Sequence, residues 1–158
     1  MLNVIIQQAQ DVTETKRNDR YVAAMASELR LLIETANAPI FGIDENGLVN
    51  EWNQKTAEIT GYSKVEAMNN PLVSTFIVPK LQESVQEVMA NALKGIERSN
   101  YELEFMTKND EVRYLLVNAT TRMDQKNNII GVVGVVSHDV GHNSIGLDYM
   151  FLTAFKIL

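Results

Sequence analysis

The chain has 158 residues, no cysteine and a formal net charge of −6, with 46% hydrophobic and 22% charged residues. This is the make-up of an ordinary globular domain, and the missing thiol excludes disulfide scaffolds, thiolate metal sites, iron–sulfur ligation and cysteine nucleophiles. The acidic balance argues against nucleic acid as a partner, and no apolar run approaches the roughly 18–20 residues that span a bilayer.

The opening Met1-Leu2-Asn3-Val4-Ile5-Ile6-Gln7-Gln8 lacks a basic n-region and is too short in apolar residues for a signal peptide, so a cytoplasmic location is expected. Residues 1–37 contain no Gly or Pro and are dense in Ala, Glu, Lys, Arg and Leu, which favours helix. Val22, Met25, Leu29, Leu32 and Ala36 recur at spacings of 3, 4, 3 and 4, a heptad seam. The same frame carried backwards meets Asn18, Thr15 and Asp11, so the seam covers only the second half of the helix. Such a helix either lies on its own domain or pairs with another copy or an upstream helix. A polar first half is hard to place in a core and favours pairing, with Val22, Met25, Leu29 and Leu32 as the interface.

Pro39 ends this helix, because the residue before a proline is driven out of the α region. Ile40 to Asp44 reads as a strand, Asn46-Gly47 as a hairpin turn, and Leu48 to Trp52 as the returning strand. Asn53 stands at the N-cap of a helix over 54–60, and Gly61 stands where a left-handed glycine closes it. Residues 63–77 suggest short helical turns interrupted by Pro71. Pro79 then opens a longer helix to about Lys94, stopped by Gly95. Leu81, Val85, Val88, Met89 and Ala92 form its single apolar stripe.

Tyr101 to Phe105 alternates cleanly, so one face is buried and the other wet. Lys108-Asn109-Asp110 turns the chain into a strand over 113–122, and residues 124–128 turn it into Ile129 to Val136, which is apolar on both faces as a central strand should be. Gly131 and Gly134 leave gaps there for close approach. The class is α+β: an antiparallel sheet with helices across one face.

Three stretches carry a family resemblance. The first is Ile33 to Asp44 with Asn46-Gly47 and Trp52-Asn53. The second is Ala57 to Ala67, containing Thr60-Gly61-Tyr62-Ser63. The third is Arg122-Met123-Asp124 with Asn127 to Gly134. In this order they resemble the PAS domain, in the form associated with sensor histidine kinases, over roughly residues 33–140. The resemblance implies a five-stranded antiparallel sheet, a helical wall over one face and a hollow between them. Candidate lining residues are Leu72, Leu81, Val85, Met89, Leu103, Phe105, Val117, Asn118 and Ser137, with Tyr101 and Ala119 beside them if the strands alternate as read. The plainer reading is that these residues fill the space as core.

The chain is similar to the light-sensing flavin branch of that family but lacks its photoactive cysteine: Leu72 stands at or next to that place. Ser137 or its neighbour stands at the level of a flavin-contacting glutamine, and Asn118 is the candidate match for a flavin-contacting asparagine. Adduct photochemistry is excluded, and non-covalent flavin or haem remains only the alternative reading. The long helix offers haem no histidine, and Met89 is a weak possible ligand. No cofactor, metal or catalytic residue is therefore expected. Ser137-His138-Asp139 resembles the start of a phosphoacceptor box, but it falls at the end of a strand and reads as a strand-end pair.

The expected organisation is a helix over 1–37, a PAS domain over 38–140 and an apolar tail over 141–158. The expected role is a non-enzymatic sensory or interaction module that forms a homodimer through the helix and the sheet face and serves a kinase or other signalling output domain. The alternative is a small-molecule receptor using the hollow.

Overall fold

The computed structural model describes residues 2–139; the tail over 141–158, with His142, lies outside the described residues. The chain divides into two units, Met1–Thr35 and the part that follows from Ala36. The first is one helix, α1, over Leu2–Glu34. Its 33 residues make it about 50 Å long at the usual rise. None of its described residues is buried.

The second unit runs β1 (Ile40–Ile43), β2 (Val49–Trp52), α2 (Gln54–Thr60), α3 (Lys64–Ala67) and α4 (Leu72–Phe76). A 3₁₀ turn over Pro79–Leu81 leads into α5 (Gln82–Ala92), followed by β3 (Arg98–Met106), β4 (Val112–Met123) and β5 (Ile129–Asp139). The strands form one antiparallel sheet in the order β2-β1-β5-β4-β3. The all-apolar strand is thus central, as its two-faced pattern requires. The sheet's inner face carries Phe41, Ile43, Trp52, Leu103, Phe105, Leu115, Val117, Ala119, Val132 and Val136 into a single core with residues of the helices.

Local chemistry explains the boundaries. Asn53 accepts the Thr56 N–H and Gly61 closes α2 at φ 78°. Ser63 and Glu66 form a reciprocal capping box on α3. Three hairpin turns share one design. Asp44, Thr107 and Asp124 each donate the backbone N–H to the carbonyl of the residue four ahead (Leu48, Glu111, Asn128) and accept that residue's N–H on a side-chain oxygen at 2.9, 3.1 and 2.9 Å. The fourth residue of each turn has positive φ: Gly47, Asp110 and Asn127.

Three boundaries differ from expectation. The helix expected from Pro79 to Lys94 begins as a 3₁₀ turn, because Leu81 N–H bonds to Val78 O in a tight three-residue step, and it ends at Ala92. β3 starts at Arg98 rather than Tyr101, and its pairing is interrupted near Asn100, which has φ 54°. The Asn46-Gly47 hairpin is anchored by Asp44, which leaves the strand to cap the turn.

The connections also cover parts of both sheet edges. Along β2, Val49 N–H donates to Asn70 O and Asn69 N–H to Val49 O, at 2.9 and 2.8 Å. Along β3, Ile77 bridges Phe105 and Val78 N–H donates to Glu104 O at 3.2 Å. The helical layer is thereby stitched to the sheet at both margins.

Candidate functional site

The space between helices and sheet is occupied by aromatic rings. Phe41, Trp52, Phe76 and Phe105 are each at most 2% exposed. Their centroids lie 5.1 Å (Trp52–Phe76), 5.8 Å (Phe41–Phe105), 6.0 Å (Trp52–Phe105) and 6.0 Å (Phe76–Phe105) apart. Tyr62 meets Phe76 edge-on at 5.0 Å, and its carbonyl accepts the Trp52 indole N–H at 3.0 Å. Leu72, Val85, Leu103, Phe105 and Val117 are buried in this cluster, and Leu81, Met89 and Tyr101 pack half-buried against it.

Asn118 and Ser137 do not join them. Asn118 stands between the inward-facing Val117 and Ala119, and strand alternation turns it to the opposite face. Its Oδ1 accepts the Asn100 N–H at 2.8 Å. Ser137 is exposed next to the inward Val136, and its hydroxyl donates to Leu116 O at 3.1 Å. The nine candidate lining residues therefore separate into seven on the inner side and two outside it. His138 and Asp139 are paired with Leu116 and Leu115 at the end of β5.

A buried polar group on α2 completes the inner layer. Asn53, Thr56 and Thr60 are at most 1% exposed. Asn53 Oδ1 accepts the N–H groups of Ile40 (2.9 Å) and Thr56 (3.0 Å), and its Nδ2 donates to Ala38 O (2.9 Å). Thr56 Oγ1 lies 2.9 Å from Ile40 O and 2.8 Å from Asn53 Oδ1, one proton between two acceptors. Thr60 Oγ1 donates to Thr56 O at 2.7 Å. The sequence shows Asn53 as a cap but gives no reason to group the threonines with it. The available signal is their spacing of three and four along one face of α2.

Charged groups keep to the rim. Lys80 and Glu104 pair at 2.8 Å, and the carboxylate raises the lysine above its usual value. Glu66 is lowered to about 2, first by its hydrogen bond from Lys108, then by the backbone N–H and the hydroxyl of Ser63. Among the described residues, no group of three or more His, Asp or Glu is placed to hold a metal, and no helix is long and apolar enough to cross a membrane.

On α1 the candidate seam is open: Val22, Met25, Leu29 and Leu32 are 65%, 51%, 55% and 61% exposed.

The sheet order, the helical layer over one face and the ring-filled interior define a sensor-type α+β module. The family described as "PAS fold" matches residues 27–139, so the chain belongs to the PAS family. It is similar to phytochrome B1 of Solanum lycopersicum, 40% identical over 131 residues, and to phytochrome B of Arabidopsis thaliana, 37% identical over 148 residues. These matches take in 80% and 91% of the chain but only 12% of either relative's length. Among solved structures, a PAS domain from Colwellia psychrerythraea aligns with TM-score 0.64 at 18% identity, covering 73% of this chain and 96% of that one. A PAS domain from a two-component sensor histidine kinase aligns with TM-score 0.61 at 14% identity, covering 75% and 98%.

Proposed function

We propose that the chain is a sensory and interaction module of a signal-transduction protein that pairs with a second copy through the second half of α1 and the outer sheet face. The observation that carries this reading is the exposed heptad of Val22, Met25, Leu29 and Leu32 on a helix that buries none of its described residues. An apolar row of that kind is stabilised by a partner helix. The outer sheet face supplies Leu116 and Val133, both half-buried, and Val135, which is exposed. The similarity to phytochromes and to a sensor-kinase PAS domain supports a place within a larger signalling protein, with a kinase or other output domain as the partner served. The module itself performs no catalysis in this reading, and its setting is the cytoplasm.

Deleting residues 1–30 is expected to convert a dimer to monomer in sedimentation velocity; an unchanged dimer overturns the reading. The receptor alternative, with a non-covalent flavin, haem or other small molecule in the inner layer, ranks second because that layer is filled by the rings of Phe41, Trp52, Phe76 and Phe105. A visible absorbance band in freshly purified protein reverses this ranking.

A further inference from the structure

The link Ala38-Pro39-Ile40, which leads into β1, has every carbonyl engaged. Ala38 O accepts from Asn53 Nδ2 at 2.9 Å, Pro39 O from Val136 N–H at 2.9 Å, and Ile40 O from Asn53 N–H at 3.0 Å with the Thr56 hydroxyl at 2.9 Å. The Ile40 N–H is also taken, by Asn53 Oδ1. One fully buried side chain therefore grips the link at two points while capping α2 through Thr56 N–H. Capping alone does not require this residue. Ser, Thr or Asp offers the acceptor that a helix start needs, whereas Asn carries a separate NH2 donor on a second atom beside its accepting oxygen, and here that donor is spent on the link.

The partners of the link come from two directions. Trp52 directly precedes Asn53 and Phe41 directly follows Ile40, and their rings lie 6.4 Å apart in the core. Val136 belongs to the outgoing end of β5. Each ring thus stands one residue from a jaw of the clamp, and the Pro39–Val136 bond ties the incoming chain to the outgoing strand.

We infer that Asn53 and Thr56 are positioning residues of a coupling joint, which delivers displacements of the aromatic core to residues 38–40 and to the end of β5 together. The inference rests on the proposed sensory role of the chain only for its physiological meaning. The joint is tested directly, by hydrogen exchange on the full chain, and a chain found to be monomeric would leave that result standing.

Thr56→Val removes the hydroxyl at nearly constant volume, Thr56→Ser restores it, and Asn53→Asp keeps the capping acceptor but loses the donor to Ala38. For Thr56→Val and Asn53→Asp, amides in 36–43 and 133–137 are expected to exchange at least about tenfold faster, while β3–β4 amides in 101–106 and 112–119 stay within about twofold of the parent. Thr56→Ser is expected to return the first two segments to parent rates. If exchange rises by one common factor across the whole sheet, tracking the loss of global stability in urea, the pair is ordinary core and the joint is refuted. Unchanged exchange over 36–43 refutes it as well, because strand pairing alone then holds the link.

Discussion

Gly134 sits opposite Phe41 in the β1–β5 ladder, and a Cβ built there would stand 2.5 Å from the ring. Phe41 is itself wedged against Trp52 and Phe105, so it has little room to yield. Gly134→Ala is therefore an overpacking change, expected to lower stability by about 1–3 kcal/mol. Gly95 is the comparison: at φ 83° with nothing within 4 Å of its Cβ, it carries only the left-handed backbone penalty, roughly 1 kcal/mol. Urea midpoints should order as parent, Gly95→Ala, Gly134→Ala; equal losses would mean that Phe41 moves aside freely. The gap at Gly134 is legible in the sequence, but what fills it is not, because the ring comes from a strand more than ninety positions away and only the sheet order brings it there.

Glu66 carries a pH dependence of known sign. Its pKa in the folded chain, about 2, lies below the ordinary value of 4.5. The carboxylate therefore adds stability that is fully present above about 4.5 and is lost as pH falls toward 2. The group is solvent-exposed, so the effect is modest and weakens with salt. Glu66→Gln keeps a capping-box side chain and removes the charge. Its melting temperature should fall below the parent's at pH 7 and converge with it on acidification. A gap that persists in acid would assign the difference to capping geometry.

The helix α1 carries two apolar stripes rather than one. Leu2, Ile5 and Val12 are all more than half exposed, like Val22, Met25, Leu29 and Leu32. At 3.6 residues per turn, the centres of the two stripes lie roughly 150° apart around the axis. The intervening Thr13 to Arg20 is polar throughout. A single two-stranded seam cannot follow both stripes, so pairing through the second leaves the first outside. Leu29→Glu is expected to abolish the proposed dimer and Ile5→Glu to leave it intact, as read by the sedimentation coefficient in sedimentation velocity; the reverse result would move the interface to the first stripe. The heptad was legible because its period is local. All three hairpin turns are legible in the sequence, but the shared capping by Asp44, Thr107 and Asp124 is not, because it depends on a residue four positions earlier than the one its oxygen serves. Asn118 and Ser137 stand outside the hollow that the resemblance implies for them, because a resemblance gives the level along a strand, whereas the face follows from alternation and from the irregular pairing between Leu116 and Val117.

Helicity and core report on different units of the molecule. α1 buries none of its described residues, and isolated helices are marginal without packing. Trp52, the single tryptophan, is fully buried in the second unit. If the proposed dimer forms, dilution through its dissociation range should weaken the far-ultraviolet helix signal while Trp52 emission stays constant. If both change together, helix and core unfold as one cooperative body and the two-unit description fails. Element order was readable from the chain because turns and caps are local signals. The β2-β1-β5-β4-β3 order was not, since neighbouring strands such as β1 and β5 are separated along the chain by β2, the whole helical layer, β3 and β4.

The β1–β5 pairing has a consequence for how such a domain is accommodated in a longer polypeptide. Because Pro39 O accepts the Val136 N–H, the backbone enters the sheet domain beside the outgoing strand, and β5 runs on for three residues to Asp139, roughly 10 Å at the usual rise. A loop in a host protein could be opened and this domain grafted into it without forcing the host's two ends apart. Such a graft would make the sheet domain a side branch, adding a core and a surface to the host while adding little to its length.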